Sequence, residues 1–384
     1  MPVTTLIDAP GAPAPNLGDA EGLFGSEPTR TLAFDDVSLS QFQLGPERVF
    51  SIEPRGGSAR GIIFWVHGLT DHAARQFESA TWLAKRRFRV ILFELQGHGG
   101  REFGIEESWG QATSYFRLQG NTNAVAEEIR SRASIRRGFR ERVSEVQFTA
   151  LKRTTFDDHL IQIERVLSRL VASGRSDLPF FFCGHSMGAL LCLESIRQSR
   201  SSAQTNLGGL ILMAPGFLPL ARPGRPAEKA LIKVFQSMSN GSPLSLIGAS
   251  ARRVLNLDFP FDISWGVPFV SDQSAENKLV DLDPLNLRKL PSSYVSSVLS
   301  RVIEINRTIP DFLPNTLMLL PEKDSIVDIA GSEKFLEKAR RAIGRSRIST
   351  ARFPFLHAHN LLRSSARAQA RSVILNWLEK RLDQ

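Results

Sequence analysis

The sequence predicts an α/β fold, in which a mostly parallel central sheet is covered by helices on both faces. Apolar strand-like runs such as Gly61–Val66 and Arg89–Phe93 alternate along the chain with helical runs such as Arg75–Arg87 and Phe156–Ala172. This alternation is typical of strand–helix–strand units. A glycine-containing turn at residues 184–188 also joins an apolar strand directly to an apolar helix. The 384 residues therefore predict one large α/β domain that carries an insertion.

The N-terminal part is predicted to pass from a disordered leader into the first strands of the sheet. Residues 1–30 are rich in Pro, Gly and Ala and show little periodicity, so we expect them to be disordered. Residues 31–66 contain strand-like runs at Thr31–Phe34, Arg48–Ile52 and Gly61–Val66, which are separated by Gly and Pro turns.

The core of the domain is predicted in two parts, residues 31–215 and residues 315–384. The intervening residues 216–314 are far more than a direct connection between two strands needs. An insertion at the carboxyl end of a parallel sheet covers the place where ligands bind. We therefore predict that residues 216–314 form a helical cap, inserted before the predicted strand Thr316–Leu320.

A basic insertion at about residues 106–153 interrupts the first part of the core. Between Ala124 and Leu151, apolar residues recur at near-helical spacing, and arginines are frequent among them. One interpretation is an amphipathic helix that docks on an anionic surface. The other is a helix that covers the core and exposes a solvated basic face, and the sequence favours this second interpretation.

The turn Gly184-His185-Ser186-Met187-Gly188 presents a candidate nucleophile, Ser186. It follows the apolar run Pro179–Cys183 and precedes a helical pattern that starts at Ala189. A serine between two such glycines lies at a sharp turn that projects its hydroxyl from the sheet. A serine hydroxyl is a weak nucleophile, so this site would also need a histidine base, an acid and donors for an oxyanion.

Asp324 is the candidate acid because it lies in the turn that follows the predicted core strand Thr316–Leu320. Glu322 and Asp328 are the alternatives, with Glu322 at the strand end and Asp328 at a position typical of a helix cap. The preceding predicted strand, Gly209–Met213, is followed by Ala-Pro-Gly and offers no carboxylate.

His359 and His357 both follow the predicted strand Ala351–Phe355 and are the candidate bases. His359 is followed by Asn360-Leu361-Leu362, which would start a helix directly behind a catalytic loop, so His359 is preferred. The order Ser, Asp, His along the chain matches one known arrangement of such triads.

Two backbone N–H groups are needed for the oxyanion. Met187 follows the nucleophile and would lie at the positive end of the next helix. Leu69 lies in the loop after the predicted strand Gly61–Val66, where Gly68 permits a tight turn. We expect His67 to hold this loop by hydrogen bonds rather than to transfer protons.

Five short sequence motifs occur in this order between residues 60 and 380: His67–His72, Glu94–Gly99, Gly184–Gly188, Pro321–Asp328 and His359–Leu362. Together they resemble the α/β-hydrolases of the monoacylglycerol lipase, lysophospholipase and serine aminopeptidase group. Asp283-Pro284-Leu285 also resembles a motif of the lysophospholipase-like members. The chain departs from the family pattern at Glu94 and Gln96, which border the expected pocket, so the resemblance is weaker evidence for the substrate than for the fold.

The resemblance implies a serine hydrolase that cleaves carboxylic esters, acylglycerols or lysophospholipids, through an acyl-enzyme and without a metal or organic cofactor. A peptidase, a thioesterase or an acyltransferase would use the same Ser186, Asp324 and His359. The alternative from another class is a non-catalytic descendant that binds a ligand.

Bulk properties limit the remaining possibilities. The formal charge of +9 allows weak peripheral contact with an anionic membrane, and no nucleic-acid motif accompanies it. No apolar run reaches the roughly 20 residues that cross a bilayer, and the N-terminus does not resemble a signal peptide. Cys183 and Cys192 are expected to be buried free thiols. We therefore expect a cytoplasmic protein.

Overall fold

The computed structural model describes residues 4–5, 24–102, 105–118, 120–135, 138–173, 177–198, 206–219, 260–308 and 312–383. Within these ranges the strands are β1 Thr4–Thr5, β2 Arg30–Phe34, β3 Val37–Leu44, β4 Glu47–Pro54, β5 Gly61–Val66, β6 Phe88–Phe93, β7 Phe180–His185, β8 Leu207–Met213, β9 Pro260–Asp262, β10 Lys289–Pro291, β11 Thr316–Pro321 and β12 Ile348–Phe353.

The helices in the same ranges are α1 Phe77–Ala84, α2 Ile105–Arg117, α3 Thr122–Ile135, α4 Phe139–Leu151, α5 Phe156–Ala172, α6 Met187–Gln198, α7 Ser274–Leu282, α8 Ser292–Arg307, α9 Ile329–Ile343 and α10 Arg367–Leu382. Short 3₁₀ helices occur at Ala73–Gln76, Ser264–Phe269, Arg345–Arg347 and Leu361–Arg363.

Ten of the described strands form one sheet in the order β1-β2-β3-β4-β6-β5-β7-β8-β11-β12. From β6 to β12 all neighbours run parallel, whereas β2, β3 and β4 form an antiparallel edge that joins β6 through β4. The mostly parallel sheet predicted from the sequence is therefore confirmed. Strand β3 was not predicted, and β12 begins at Ile348 rather than at Ala351.

The sheet separates two apolar cores, one on each face. Successive side chains of a strand point to opposite faces, so Phe64 of β5 packs in the core that includes Leu191 of α6. The next residue, Trp65, packs in the other core with Phe77 of α1 and Trp377 of α10. Strands that are apolar on both faces are thus explained by helices on both sides, as the predicted fold class requires.

The region between β8 and β11 contains the small antiparallel sheet β9–β10 and the helices α7 and α8. Residues 220–259 of the predicted cap lie outside the described residues, as do residues 6–23 of the predicted leader. The cap and the leader therefore stay predictions. In the described part of the leader, Thr4 and Thr5 pair with Arg30 and Thr31.

In its described residues the basic insertion contains the helices α2, α3 and α4, and the helical run predicted between Ala124 and Leu151 is divided between α3 and α4. Gly138 adopts φ 75° immediately before α4, which interrupts the pattern between α3 and α4. Val125, Ile129 and Val143 are buried, so the apolar faces of these helices pack inward. This packing supports the interpretation as helices that cover the core, and membrane contact stays a prediction.

Several arginines of the insertion are paired within the protein. Arg130 pairs with Glu127, and Arg132 pairs with Glu128 at 2.6 Å. Arg140 donates to the carbonyl oxygens of Asp281 and Leu282, the last two residues of α7. These contacts explain part of the local arginine content without an external partner.

Cys183 and Cys192 are buried free thiols, as predicted. Burial raises the pKa of both, so neither is a reactive thiolate near neutral pH. In the described ranges, no helix combines the length and the apolar character that a membrane span requires.

Helix α5 begins with a capping box. The Thr155 hydroxyl accepts from the backbone N–H of Asp158, and the Asp158 carboxylate accepts from the backbone N–H of Thr155 at 2.7 Å. This reciprocal pair satisfies two N–H groups that the first turn of a helix leaves without partners.

We expect Thr155→Ala to lower the free energy of unfolding by about 1 kcal/mol, because one capping acceptor is lost. Urea denaturation would measure this change. Ser168→Ala, which removes an exposed hydroxyl from the same helix, is the matched control and should change stability by less than about 0.5 kcal/mol. Equal effects of the two substitutions would contradict the role of the cap.

Candidate active site

Ser186 lies in the turn between β7 and α6 with φ 55°, a conformation that non-glycine residues rarely adopt. Its backbone N–H donates to the carbonyl of Met213 at 2.9 Å, which holds the turn against β8. A Cβ at Gly184 would lie 2.4 Å from the carbonyl oxygen of Gly188, and a Cβ at Gly188 would lie 2.3 Å from that of Val66. Only glycine fits at either position, so the turn is packed to the backbone on both sides.

Asp324 and His359 form a hydrogen-bonded pair. Nδ1 of His359 lies 2.6 Å from Oδ2 of Asp324, and both side chains are buried. The other carboxylate oxygen of Asp324 accepts backbone N–H groups from Ile326 at 2.7 Å and Val327 at 3.2 Å. Since Nδ1 must donate to the carboxylate, Nε2 of the neutral ring carries the lone pair. This is the tautomer that a general base requires.

The alternatives to these two residues have other local roles. Asp328 caps α9 by accepting from the backbone N–H of Ala330 at 2.9 Å. Glu322 accepts from Arg352 at 3.1 Å, and His357 is exposed. The structure therefore brings Asp324 and His359 together and gives the alternatives no comparable contact.

The two candidate oxyanion donors flank Ser186. Met187 is the first residue of α6, where the helix provides no carbonyl partner for a backbone N–H. Leu69 lies in the loop after β5, and this loop touches the nucleophile because a Cβ at Gly68 would lie 3.4 Å from Cβ of Ser186. Ser186, Leu69 and His359 all border one cavity of about 150 Å³.

His67 holds the peptide that carries the Leu69 N–H. Its Nε2 accepts from the backbone N–H of Leu95 at 3.2 Å, so Nδ1 carries the proton and donates to the carbonyl of Gly68 at 2.9 Å. Burial lowers the pKa of His67 to about 4, which keeps the ring neutral. This is the structural role expected from the sequence.

Comparison with known proteins identifies the family of the chain. The family model described as serine aminopeptidase, S33, matches residues 57–139 and 151–351, which is more than half of the chain. The chain belongs to the S33 serine aminopeptidase family. The resemblance to this group of α/β-hydrolases, which was inferred from the five motifs, is therefore confirmed.

Relatives of this S33-family chain include Phospholipase YtpA of Bacillus subtilis strain 168, which is 30% identical over 139 residues. That match spans 35% of this chain and 43% of the relative, so less than half of the relative's length is covered.

Two solved structures share the fold at low identity. A soluble variant of monoglyceride lipase from Saccharomyces cerevisiae is 17% identical, with a TM-score of 0.55 over 91% of this chain and 94% of that one. Paleococcus ferrophilus monoacylglycerol lipase is 16% identical, with a TM-score of 0.55 over 85% and 96%. The fold of this S33-family chain is the α/β-hydrolase fold.

Some polar residues of the S33-family site escaped the sequence analysis. Asp71 and Arg75 line the cavity, and Nε of Arg75 lies 2.8 Å from Oδ1 of Asp71. Burial alone would raise the pKa of Asp71, but the charge of Arg75 holds it below its ordinary value. Nη1 of Arg75 is buried and has no hydrogen-bond partner among the described residues. The signal in the sequence that could have identified these residues is their position directly after the loop that contains Leu69.

A buried polar cluster ties the Leu69 loop to the segment after α7. Nε2 of His72 lies 2.8 Å from Oδ2 of Asp283, and neither side chain is exposed to solvent. Tyr115 and Gln111 of α2 also donate to this carboxylate. Burial alone would raise the pKa of Asp283, but His72 and the hydrogen bond from Tyr115 lower it. Asp283, the first residue of the motif Asp283-Pro284-Leu285, therefore anchors residues 283–287 beside the cavity.

Three buried histidines of this site make stability depend on pH. Burial lowers the pKa of His67 to about 4, of His98 to about 3 and of His185 to about 4. Unfolded imidazoles take up a proton near pH 6.5, so the unfolded state binds more protons than the folded state as the pH falls below about 7. The free energy of unfolding that depends on these rings being neutral is therefore lost progressively as the pH falls.

We expect the free energy of unfolding to fall by roughly 1–2 kcal/mol per histidine between pH 7 and pH 5. Urea denaturation at several pH values measures this slope. The slope should be smaller in His98→Asn than in the wild type, whatever the absolute stability of the variant. A stability that is constant or increases on acidification would contradict this prediction.

Proposed function

We propose that this protein is a serine carboxylic ester hydrolase in which Ser186, His359 and Asp324 form the catalytic triad. The observation that carries the proposal is the His359–Asp324 hydrogen bond at the border of the same cavity as Ser186. The strained turn at Ser186 and the N–H of Met187 at the start of α6 support it. No metal or organic cofactor enters this chemistry.

In the proposed reaction, Oγ of Ser186 attacks the ester carbonyl carbon while Nε2 of His359 takes the hydroxyl proton. Asp324 holds the imidazole and stabilises its positive charge without being protonated. The N–H groups of Leu69 and Met187 donate to the oxyanion, and each such donor contributes about 3–4 kcal/mol in comparable sites. His359 then protonates the departing alcohol. In the second half, a water gives a proton to His359 and attacks the acyl carbon; His359 returns that proton to Oγ of Ser186 as the bond to Oγ breaks and the carboxylic acid leaves.

The walls of the cavity support an ester that has both an apolar and a polar part. Ile263, Val267, Val270 and Val280 offer apolar contact. Arg75 is a basic residue of the same wall, and its buried Nη1 has no hydrogen-bond partner among the described residues. An acyl chain fits the former, and an oxygen of the alcohol part fits the latter. With the names of the relatives, this division favours monoacylglycerols or lysophospholipids as substrates.

The family description also raises the possibility of an aminopeptidase, which would need a carboxylate to bind the free α-ammonium of a peptide. Asp71 is the carboxylate that borders the cavity in the described part of the chain, and Arg75 already pairs with it. This pairing favours an ester over a peptide. Product analysis with competing alcohols distinguishes hydrolysis from acyl transfer, because a transferase yields a new ester.

We expect Ser186→Ala to abolish labelling by a fluorophosphonate probe and to lower kcat for ester hydrolysis roughly 10⁵–10⁶-fold, as in a comparable triad. Intact mass and steady-state kinetics would measure both. His359→Ala should have a similar effect, whereas His357→Ala is the matched control and should change kcat less than twofold. Ester turnover that survives His359→Ala but not His357→Ala would assign the base to His357.

We expect Arg75→Lys to lower kcat/KM about tenfold for a monoacylglycerol and to leave it unchanged for the methyl ester of the same fatty acid. Lysine keeps a positive charge beside Asp71 but loses the planar fork that presents Nη1, and a hydrogen bond to a charged donor contributes about 1.5–3 kcal/mol. The methyl ester lacks the free hydroxyls of the glycerol part, so it reports on folding and on the triad. Equal losses for both esters would contradict the role of Arg75 in binding the alcohol part.

A further inference from the structure

Behind the two candidate oxyanion donors lies a cluster of buried rings, His98, His159 and Tyr294, which we call the ring cluster. His98 follows β6, His159 lies in α5 and Tyr294 lies in α8. The ring centroids of His98 and His159 are 5.6 Å apart, and those of His159 and Tyr294 are 5.7 Å apart. None of the three side chains is exposed to solvent. Three separate segments of the chain therefore meet at this point.

Tyr294 contacts the residue that provides one of the donors. Its hydroxyl donates to Sδ of Met187 at 3.6 Å and lies 2.8 Å from Nε2 of His159. The Met187 side chain is itself buried. Tyr294 thus fixes the side chain of the residue that directly follows the strained Ser186. Strained backbone persists only where its surroundings hold it in place, and this contact is part of those surroundings.

His98 contacts the residue that provides the other donor. Its Nε2 lies 2.6 Å from the carbonyl oxygen of Leu69, and its Nδ1 lies 2.9 Å from the carbonyl oxygen of Gln96. Burial lowers the pKa of His98 to about 3, so the ring is neutral near pH 7. His98 and Tyr294 also touch, with ring centroids 6.2 Å apart. The ring cluster therefore contacts both donor residues at once.

We propose that Tyr294 is a positioning residue, which holds the Met187 N–H in place for the oxyanion and thereby couples helix α8 to the hole. Tyr294 does not touch the reacting atoms; it acts through the Met187 side chain and through the packing of His98 behind Leu69. This inference rests on the proposed function.

The test is Tyr294→Phe, which removes the hydroxyl and keeps the ring. Removal of a whole oxyanion donor costs about 10²–10³ in kcat, so we expect a misplaced donor to cost about tenfold in kcat with KM nearly unchanged. Affinity for a trifluoromethyl ketone, which forms a tetrahedral oxyanion on Ser186, should fall by the same factor. Affinity for the corresponding alcohol, which forms none, should not change.

Ser297→Ala is the matched control. Ser297 lies on the same helix and accepts from the backbone N–H of Phe156 of α5 at 2.9 Å, so this variant loosens α8 from α5 without removing a contact to Met187. If Tyr294 only held the helix, both variants would lower kcat equally, and the proposal would be wrong. We expect Ser297→Ala to leave kcat and trifluoromethyl ketone affinity unchanged.

Met187→Leu supplies a second route, because it keeps the backbone N–H and removes the sulfur. If Tyr294 acts through that sulfur, the loss in the double variant should be no larger than the loss in either single variant. Additive losses would overturn the proposal. An unreactive wild-type protein would overturn the proposed function and this inference with it, whereas an active enzyme that tolerates Tyr294→Phe would overturn this inference alone.

Discussion

The close approach of the start of α6 to the end of β5 is the constraint on which the rest of the site depends. A Cβ at Gly188 would lie within 2.4 Å of the carbonyl oxygens of both Val66 and His67. The helix that follows Ser186 therefore rests on backbone rather than on side chains. Because the strand and helix meet so closely, the loop after β5 passes beside the nucleophile.

Buried ion pairs hold that arrangement, and the burial of their charges costs free energy. Asp71 pairs with Arg75, His72 pairs with Asp283, and Arg363 pairs with Glu276 at 2.9 Å. Pairs of this kind contribute little net stability relative to apolar packing, but loss of one partner is expensive. They join the loop after β5, the segment after α7 and the C-terminal part of the chain into one network, so the site's geometry depends on residues far from Ser186 in sequence.

Much of the fold was predictable because local chain geometry leaves a direct trace in the sequence. Helix α5 has the bounds predicted from its apolar spacing, and β5 has the bounds predicted from its continuous apolar run. Strand β3 was not predicted, since the adjacent polar residues Ser40 and Gln41 interrupt its apolar alternation, although both are buried in the structure. The basic insertion was predicted as one helical run because Gly138 alone marks the break before α4.

The sequence by itself determined the fold class and the candidates Ser186, Asp324 and His359, because each follows a recognisable strand and occupies a characteristic turn. Only the tertiary structure decided that His359 rather than His357 contacts Asp324, since the residues that follow His359 favour it without recording which of the two side chains is buried. It also decided that Arg75 borders the cavity and that Tyr294 lies against Met187. Such contacts join segments that are distant along the chain, and no periodicity or motif records which side chains will meet when the sheet and its helices pack.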